Sequence, residues 1–133
     1  MPNKETILIV DDEFGPRESL RMILKSQYEV HTAASKEEAL RFIDENHVDL
    51  MLLDLNMPGG SGFGVLKVIK DSLLDVQAIV ITGYSTLENA KEAIRLGAED
   101  FIQKPFNATD IVAMVARALD KRRKNLEIKP LKE

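Results

Sequence analysis

Apolar residues along this chain fall into two alternating rhythms. Short continuous runs form the first: Thr6-Ile7-Leu8-Ile9-Val10, Asp49 to Leu53 and Val76 to Ile81, with a weaker stretch from Tyr28 to Ala34 and a brief Phe101-Ile102. Charged or turn residues bound each run, which suits strands buried on both faces, as in a parallel sheet. Between the runs the spacing changes to three and four. Leu20, Ile23 and Leu24 give a first helix its apolar face, with Glu18, Arg21 and Lys25 outside. Pro16 lies in its first turn, where a helix tolerates proline. Ser35 and Glu38 have capping-box spacing and open a second helix with Ala39, Leu40 and Ile43 inward. Val65, Leu66 and Ile69 turn inward from a third helix. Ser85 and Glu88 repeat the capping box; Leu87, Ala90 and Ile94 are expected to face a core, and Gly97 marks that helix's end. Asn107 caps the last helix, where Ile111, Met114, Val115 and Ala118 fall at i, i+3, i+4 and i+7. From Lys121-Arg122-Arg123-Lys124 to Glu133 the chain is polar and is expected to fray.

Strands alternating with helices in this way define an α/β domain with a parallel sheet. Right-handed crossovers let the helices cover both faces. A length of 133 residues suits one domain with one core. The net charge of -4 gives no general case for nucleic-acid binding. The absence of cysteine excludes disulfides and thiolate metal sites. Neither His31 nor His47 adjoins the acids considered below, and both read as ordinary surface or strand-edge residues. No apolar run approaches membrane-spanning length. The start, Met1-Pro2-Asn3-Lys4-Glu5, lacks the apolar core of a secretion signal, so a cytoplasmic location is expected.

The candidate chemistry lies at the strand ends. The first strand ends in Asp11 and Asp12, the third in Asp54, the fourth in Thr82 and the fifth in Lys104. In a parallel sheet these ends share one edge, and the carboxyl edge is where open α/β sheets bind ligands. Clustered carboxylates repel one another, and a hard divalent cation relieves that repulsion. Mg²⁺ prefers oxygen ligands and often bridges carboxylate to phosphate. The Lys104 ammonium and the Thr82 hydroxyl are suited to hold phosphoryl oxygens. A carboxylate is also a competent phosphoryl acceptor, and Asp54, flanked from both sides, is the natural one.

Asp11-Asp12, Asp54 with Asn56-Met57-Pro58-Gly59, Thr82-Gly83 and Lys104-Pro105 together resemble the receiver domain of two-component response regulators. The likeness covers roughly residues 5 to 121, with every signature position in order. It implies a flavodoxin-like fold with strand order 2-1-3-4-5. It implies that Asp54 takes a phosphoryl group from a sensor histidine kinase, and that Mg²⁺ is held by Asp12, Asp54 and the backbone carbonyl of Asn56, with Asp11 acting mainly through water. It implies further that Thr82 and Lys104 bind the phosphoryl oxygens, and that the Lys104-Pro105 bond is cis. Met57 and Tyr84 occupy positions near the attacking water in that family, and bear on the lifetime of the acyl phosphate. Phe101 stands where many members carry Tyr, so an output contact that needs the hydroxyl is put in question while the aromatic movement is not. The expected switch is that Thr82 moves inward, Phe101 fills the space, and the surface of the fourth helix, fifth strand and fifth helix changes. Such a domain catalyses its own phosphorylation and dephosphorylation and turns over no separate substrate.

Other readings compete residue by residue. Asp11-Asp12 alone would suit a helix start, Asp54 a turn, and Lys104 a solvated surface. Gly59-Gly60-Ser61-Gly62 fits neither phosphate-cradling glycine pattern and reads as a tight turn beside the acid. Tyr84 is equally suited to partner contact or packing. The basic run from Lys121 suits a helix C-terminus and the start of a linker, as in receivers joined to a transcriptional activator with an ATPase domain, rather than a nucleic-acid site. On this reading residues 1–121 are the receiver and 122–133 a charged extension. A phosphatase of the haloacid-dehalogenase type is the second hypothesis, opposed by Asn56 where a second acid is required. A binding module that never takes a phosphoryl group is the third. The pattern is compatible with a homodimer through the last two helices and does not decide it.

Overall fold

The structure, a computed structural model, describes residues 4–72, 74–83 and 87–128. Strands Thr6–Val10 (β1), Glu29–Ala33 (β2), Leu50–Asp54 (β3), Gln77–Thr82 (β4) and Asp100–Gln103 (β5) alternate with helices Phe14–Leu24 (α1), Lys36–Glu45 (α2), Ser61–Ser72 (α3), Leu87–Arg95 (α4) and Ala108–Ile128 (α5). All neighbouring strands pair in parallel, in the order β2-β1-β3-β4-β5. This is the flavodoxin-like order expected above.

The continuous apolar runs have a simple cause. Side chains alternate across a strand, and each face of this sheet is covered. Leu8, Val10, Met51, Leu53, Ala78 and Val80 pack on one face with Ala39, Val65, Leu66 and Ala93 from α2, α3 and α4. Ile7, Ile9, Leu50, Leu52, Ile79 and Ile81 pack on the other with Leu20 and Leu24 of α1 and Ile111, Val115, Ala118 and Leu119 of α5. Burying one such aliphatic side chain contributes about 1.5–3 kcal/mol, so a polar residue within these runs would be expensive. The acids are accordingly displaced to the ends.

Local signals hold where they were read. The Glu38 amide donates to Ser35 Oγ at 3.1 Å, and the Asp110 amide donates to Asn107 Oδ1 at 2.8 Å. Gly97 takes a positive φ of 98° at the end of α4. The Ser85 cap lies outside the described residues.

Two expectations are corrected. Leu87 and Ile94 do not face a core: they are 72% and 52% exposed, and Ala90 is half-buried. α4 instead lies on the sheet through Ala93, flanked by half-buried Asn89 and Leu96. Its small buried residue lets the helix sit close and turns the larger stripe to solvent. The basic tail does not fray from Lys121. α5 runs unbroken to Ile128, a length of 21 residues or about 31 Å. Each charge of the run is paired within the domain: Lys121 with Glu99 at 2.8 Å, Arg122 with Asp49 at 2.9 Å, Arg123 with Glu5 at 2.9 Å and Lys124 with Asp120 at 3.1 Å.

Candidate active site at the carboxyl edge of the sheet

Parallel pairing brings the carboxyl ends of β1, β3, β4 and β5 to one edge, and every residue singled out from the strand ends arrives there. Asp11 directly follows β1, Asp54 closes β3, Thr82 closes β4 and Lys104 follows β5. The register makes the approach close: Val10 lies beside Leu53, Asp54 beside Ile81, and Thr82 beside Gln103.

Asp11, Asp54 and Thr82 are buried, with Asp54 only 3% exposed, while Asp12 faces solvent. The three aspartates each offer a carboxylate oxygen within 4.8 Å of the others. Lys104 Nζ donates to Asp11 Oδ2 at 3.2 Å and lies 3.7 Å from Asp54 Oδ2, so one ammonium serves two carboxylates. The backbone fixes the rest. The Asn56 amide donates to Asp54 Oδ1 at 3.0 Å, and the Glu13 amide donates to Asp11 Oδ1 at 2.9 Å. The Lys104-Pro105 bond is cis. Phe101 is half-buried and packs beside Val80 on the same face of the sheet as Thr82. His31 pairs with Glu29 and His47 with Asp49, both away from the aspartates. Tyr84 lies outside the described residues.

Burial holds the Asp54 carboxyl above the usual carboxylate range. The neighbouring Asp11 charge pushes the same way, and the Asn56 amide and Lys104 pull against it. A group whose pKa is raised on folding binds its proton more tightly in the native state. Its stabilising contribution is complete below the ordinary value of 3.8 and is lost as pH rises through the raised one. Asp54→Asn is therefore expected to be more stable than the parent at neutral pH. The advantage should grow from about pH 4 upward, because the parent alone pays for a buried charge. Urea midpoints of both proteins across that range measure it; an advantage that shrank with rising pH would contradict the sign.

The donor set is all oxygen and strongly anionic, which fits a hard divalent cation such as Mg²⁺ and not a thiophilic metal. Two features of the site went unread in the sequence. The side chain of Asn56 does more than follow the acid: its Oδ1 accepts from Thr82 Oγ1 and from the Gly83 amide, the latter at 3.0 Å. Gly62 of α3 is packed against the strand end, where a Cβ would lie 2.6 Å from the Asp54 carbonyl oxygen and 2.8 Å from Leu55 Cα. The run Gly59-Gly60-Ser61-Gly62 marked a turn but not which glycine was sterically required.

This fold with this edge defines a receiver. The chain belongs to the response regulator receiver domain family, whose pattern matches residues 7–116. Among full-length relatives it is 37% identical over 130 residues to the nitrogen assimilation regulatory protein NtrX of Azorhizobium caulinodans, covering 96% of this chain and 29% of that protein. It is 36% identical over 129 residues to a putative NtrX-like response regulator of Rickettsia bellii, covering 92% of this chain and 27% of that protein. The chain thus spans little more than a quarter of these relatives. Among solved structures it superposes on a CheY-like receiver domain protein from Methanospirillum hungatei with a TM-score of 0.88 and 32% identity, covering 92% of this chain and 99% of that one. No helix among the described residues is long and apolar enough to cross a membrane.

Proposed function

We propose that this domain is a phosphorylation-driven switch in which Asp54 accepts a phosphoryl group from a phosphohistidine of a sensor kinase. One Asp54 oxygen forms the new O–P bond, the histidine N–P bond breaks, and the imidazole leaves with the bonding pair. The observation that carries this reading is the convergence of Asp11, Asp12, Asp54, Thr82 and Lys104 on one edge, with Asp54 buried beside an ammonium that it shares with a second carboxylate. Little covalent chemistry is asked of the protein in phosphoryl transfer; alignment and charge neutralisation do most of it. Lys104 and the Thr82 hydroxyl are the groups to neutralise phosphoryl oxygens. Asp11, Asp12, Asp54 and the Asn56 carbonyl are the groups to hold Mg²⁺, which when bound supplies charge neutralisation at the transferring group.

Incubation with acetyl phosphate followed by intact-mass measurement tests this. A gain of one phosphoryl group is expected, dependent on Mg²⁺ and absent in Asp54→Asn. No gain, in protein shown separately to bind Mg²⁺, would overturn the reading in favour of a module that never phosphorylates. Steady hydrolysis of p-nitrophenyl phosphate would instead favour a phosphatase, against which Asn56 stands at the place of its second acid.

The switch proposed is movement of Thr82 toward the modified Asp54, with Phe101 filling the space behind it and α4, β5 and α5 changing their shared surface. Phe101 lies on the face that Val80 and Ala93 share, next to α4. The exposed Leu87 and Ile94 give α4 an apolar stripe for a partner. Chemical shifts of residues 84–106 that ignored a phosphoryl mimic would count against this route. The output is proposed to lie in a further part of an NtrX-like cytoplasmic regulator, joined through the C-terminal end of α5, whose residues 121–124 are still engaged with the receiver, with a homodimer as one form of the assembly. A direct nucleic-acid role for this domain finds no support, since Lys121, Arg122, Arg123 and Lys124 are engaged with acids of the domain.

A further inference from the structure

We infer that Asn56 is a positioning residue that holds Thr82 in the resting state, so that phosphorylation proceeds in competition with it. The inference rests on the reading of Asp54 as the acceptor and adds the restraint against which that acceptor works.

Asn56 touches both halves of the device. Its backbone amide donates to Asp54 Oδ1 at 3.0 Å, and its side-chain oxygen accepts from Thr82 Oγ1 and from the Gly83 amide at 3.0 Å. The loop after β3 is thereby stitched to the end of β4, across the gap over which Thr82 would reach Asp54. A threonine hydroxyl has one proton to donate. Here that proton is directed to Asn56, so an oxygen on a modified Asp54 must win it away. Thr82 itself is fully buried, whereas Asn56 is exposed. The exchange therefore costs little on the asparagine side, where water can take over the amide. The two bonds act together: Gly83 follows Thr82 directly, so release of Asn56 breaks the bonds of both the hydroxyl and the first backbone amide after β4 to the same oxygen.

Net hydrogen-bond contributions imply a modest restraint, and removing the acceptor should change the balance by about threefold to tenfold. The test uses the unmodified protein, Asn56→Ala, Asn56→Asp, Thr82→Ala and the Asn56→Ala/Thr82→Ala double variant. NMR of the unphosphorylated proteins reads the restraint itself. In Asn56→Ala the Gly83 amide proton should move upfield and the three-bond couplings of Thr82 should show rotamer averaging. Asn56→Asp keeps an oxygen acceptor and should restore both signals. Uptake of a phosphoryl group from acetyl phosphate with Mg²⁺, read by intact mass, should be about threefold to tenfold faster in Asn56→Ala. The same substitution should give no acceleration in the Thr82→Ala background, as expected for coupled residues.

Unchanged Gly83 and Thr82 signals in Asn56→Ala would overturn the proposal. So would unchanged or slower uptake, or an acceleration that survives loss of the Thr82 hydroxyl. Failure of the acceptor reading is separable: the unmodified protein would then gain no phosphoryl group, while the NMR comparison would still decide whether Asn56 restrains Thr82.

Discussion

Replacing Arg122 with alanine is expected to lower the stability of the domain by about 3–5 kcal/mol, the range for breaking a buried ion pair from one side. Arg122 is the outlier of the basic run, its side chain only 8% exposed. Its Nη1 lies 2.9 Å from Asp49 Oδ1, and its Nε and Nη2 both donate to the Asp75 carbonyl at 3.2 Å. Asp49 is equally buried, and its other oxygen accepts from the Thr6 amide at 2.8 Å. The Asp49 backbone also bonds to β1 and β4, through the Thr6 carbonyl and the Gln77 amide. Through its backbone and its carboxylate together, Asp49 thus ties the beginnings of three strands to α5. Without Arg122 that buried carboxylate keeps the Thr6 amide and the His47 ring but loses its permanent positive charge, and with it most of the compensation for its desolvation. In urea, the midpoint should fall with the slope unchanged, since the native state remains compact. Arg122→Met combined with Asp49→Asn should recover part of the loss, because the double variant buries no unpaired charge. Asp75→Ala should cost far less, since the Asp75 side chain is 53% exposed and the guanidinium is bonded to its carbonyl. A loss below about 1 kcal/mol for Arg122→Ala would mean that the pair behaves as an ordinary solvated one.

Such an arginine could not be found from the sequence. Its four-residue run looks like a solvated tail, and the partners Asp49 and Asp75 are 47 or more positions away. What buries Arg122 is the amino edge of the sheet, an object that exists only once three strands are paired. The same reason separates what was legible from what was not elsewhere. β1, β3 and β4 were legible because burial on both faces leaves no polar residue inside the run. Asp11, Asp54, Thr82 and Lys104 were legible because a parallel sheet turns four strand ends in sequence into one edge in space. Element boundaries shifted by a residue where the pattern ended gradually, as at Asp49 and Val76. The face of α4 was misread because Leu87, Ala90 and Ile94 form a good stripe by size, whereas packing chose Ala93 for its smallness. Hydrophobic periodicity reports which residues prefer burial; it does not report how close a helix must come. The side-chain role of Asn56 was hidden for a related reason. A polar residue in a turn has many local partners, and its engagement with Thr82 and Gly83, 26 and 27 residues on, depends on the pairing of β3 with β4.

Gly62→Ala is expected to damage the same edge by steric means, with a net loss of about 1–3 kcal/mol. The added Cβ would sit 2.6 Å from the Asp54 carbonyl oxygen, 2.8 Å from Leu55 Cα and 3.2 Å from Leu55 Cδ2. The first two are backbone atoms of the strand end that carries the acceptor. They have no rotamer to adopt, so either α3 withdraws or the end of β3 moves. Alanine favours a helix over glycine by about 1 kcal/mol, which offsets only part of the strain. The functional effect should be larger than the stability effect. A displacement of about 1 Å at a reacting group costs on the order of a hundredfold in rate, so phosphoryl uptake at Asp54 should slow much more than unfolding is eased. Gly64→Ala in the same helix is the matched control. There the nearest atoms to a new Cβ are the end of the Lys36 side chain, with Nζ at 3.0 Å and Cε at 3.4 Å. A flexible ammonium swings aside at small cost, and the helix-propensity gain should leave that variant neutral or slightly more stable. Urea midpoints and acetyl phosphate kinetics on the two variants side by side decide the matter. If both alanines proved equally stable and equally reactive, the close approach of α3 to the Asp54 carbonyl would not be a constraint on the site.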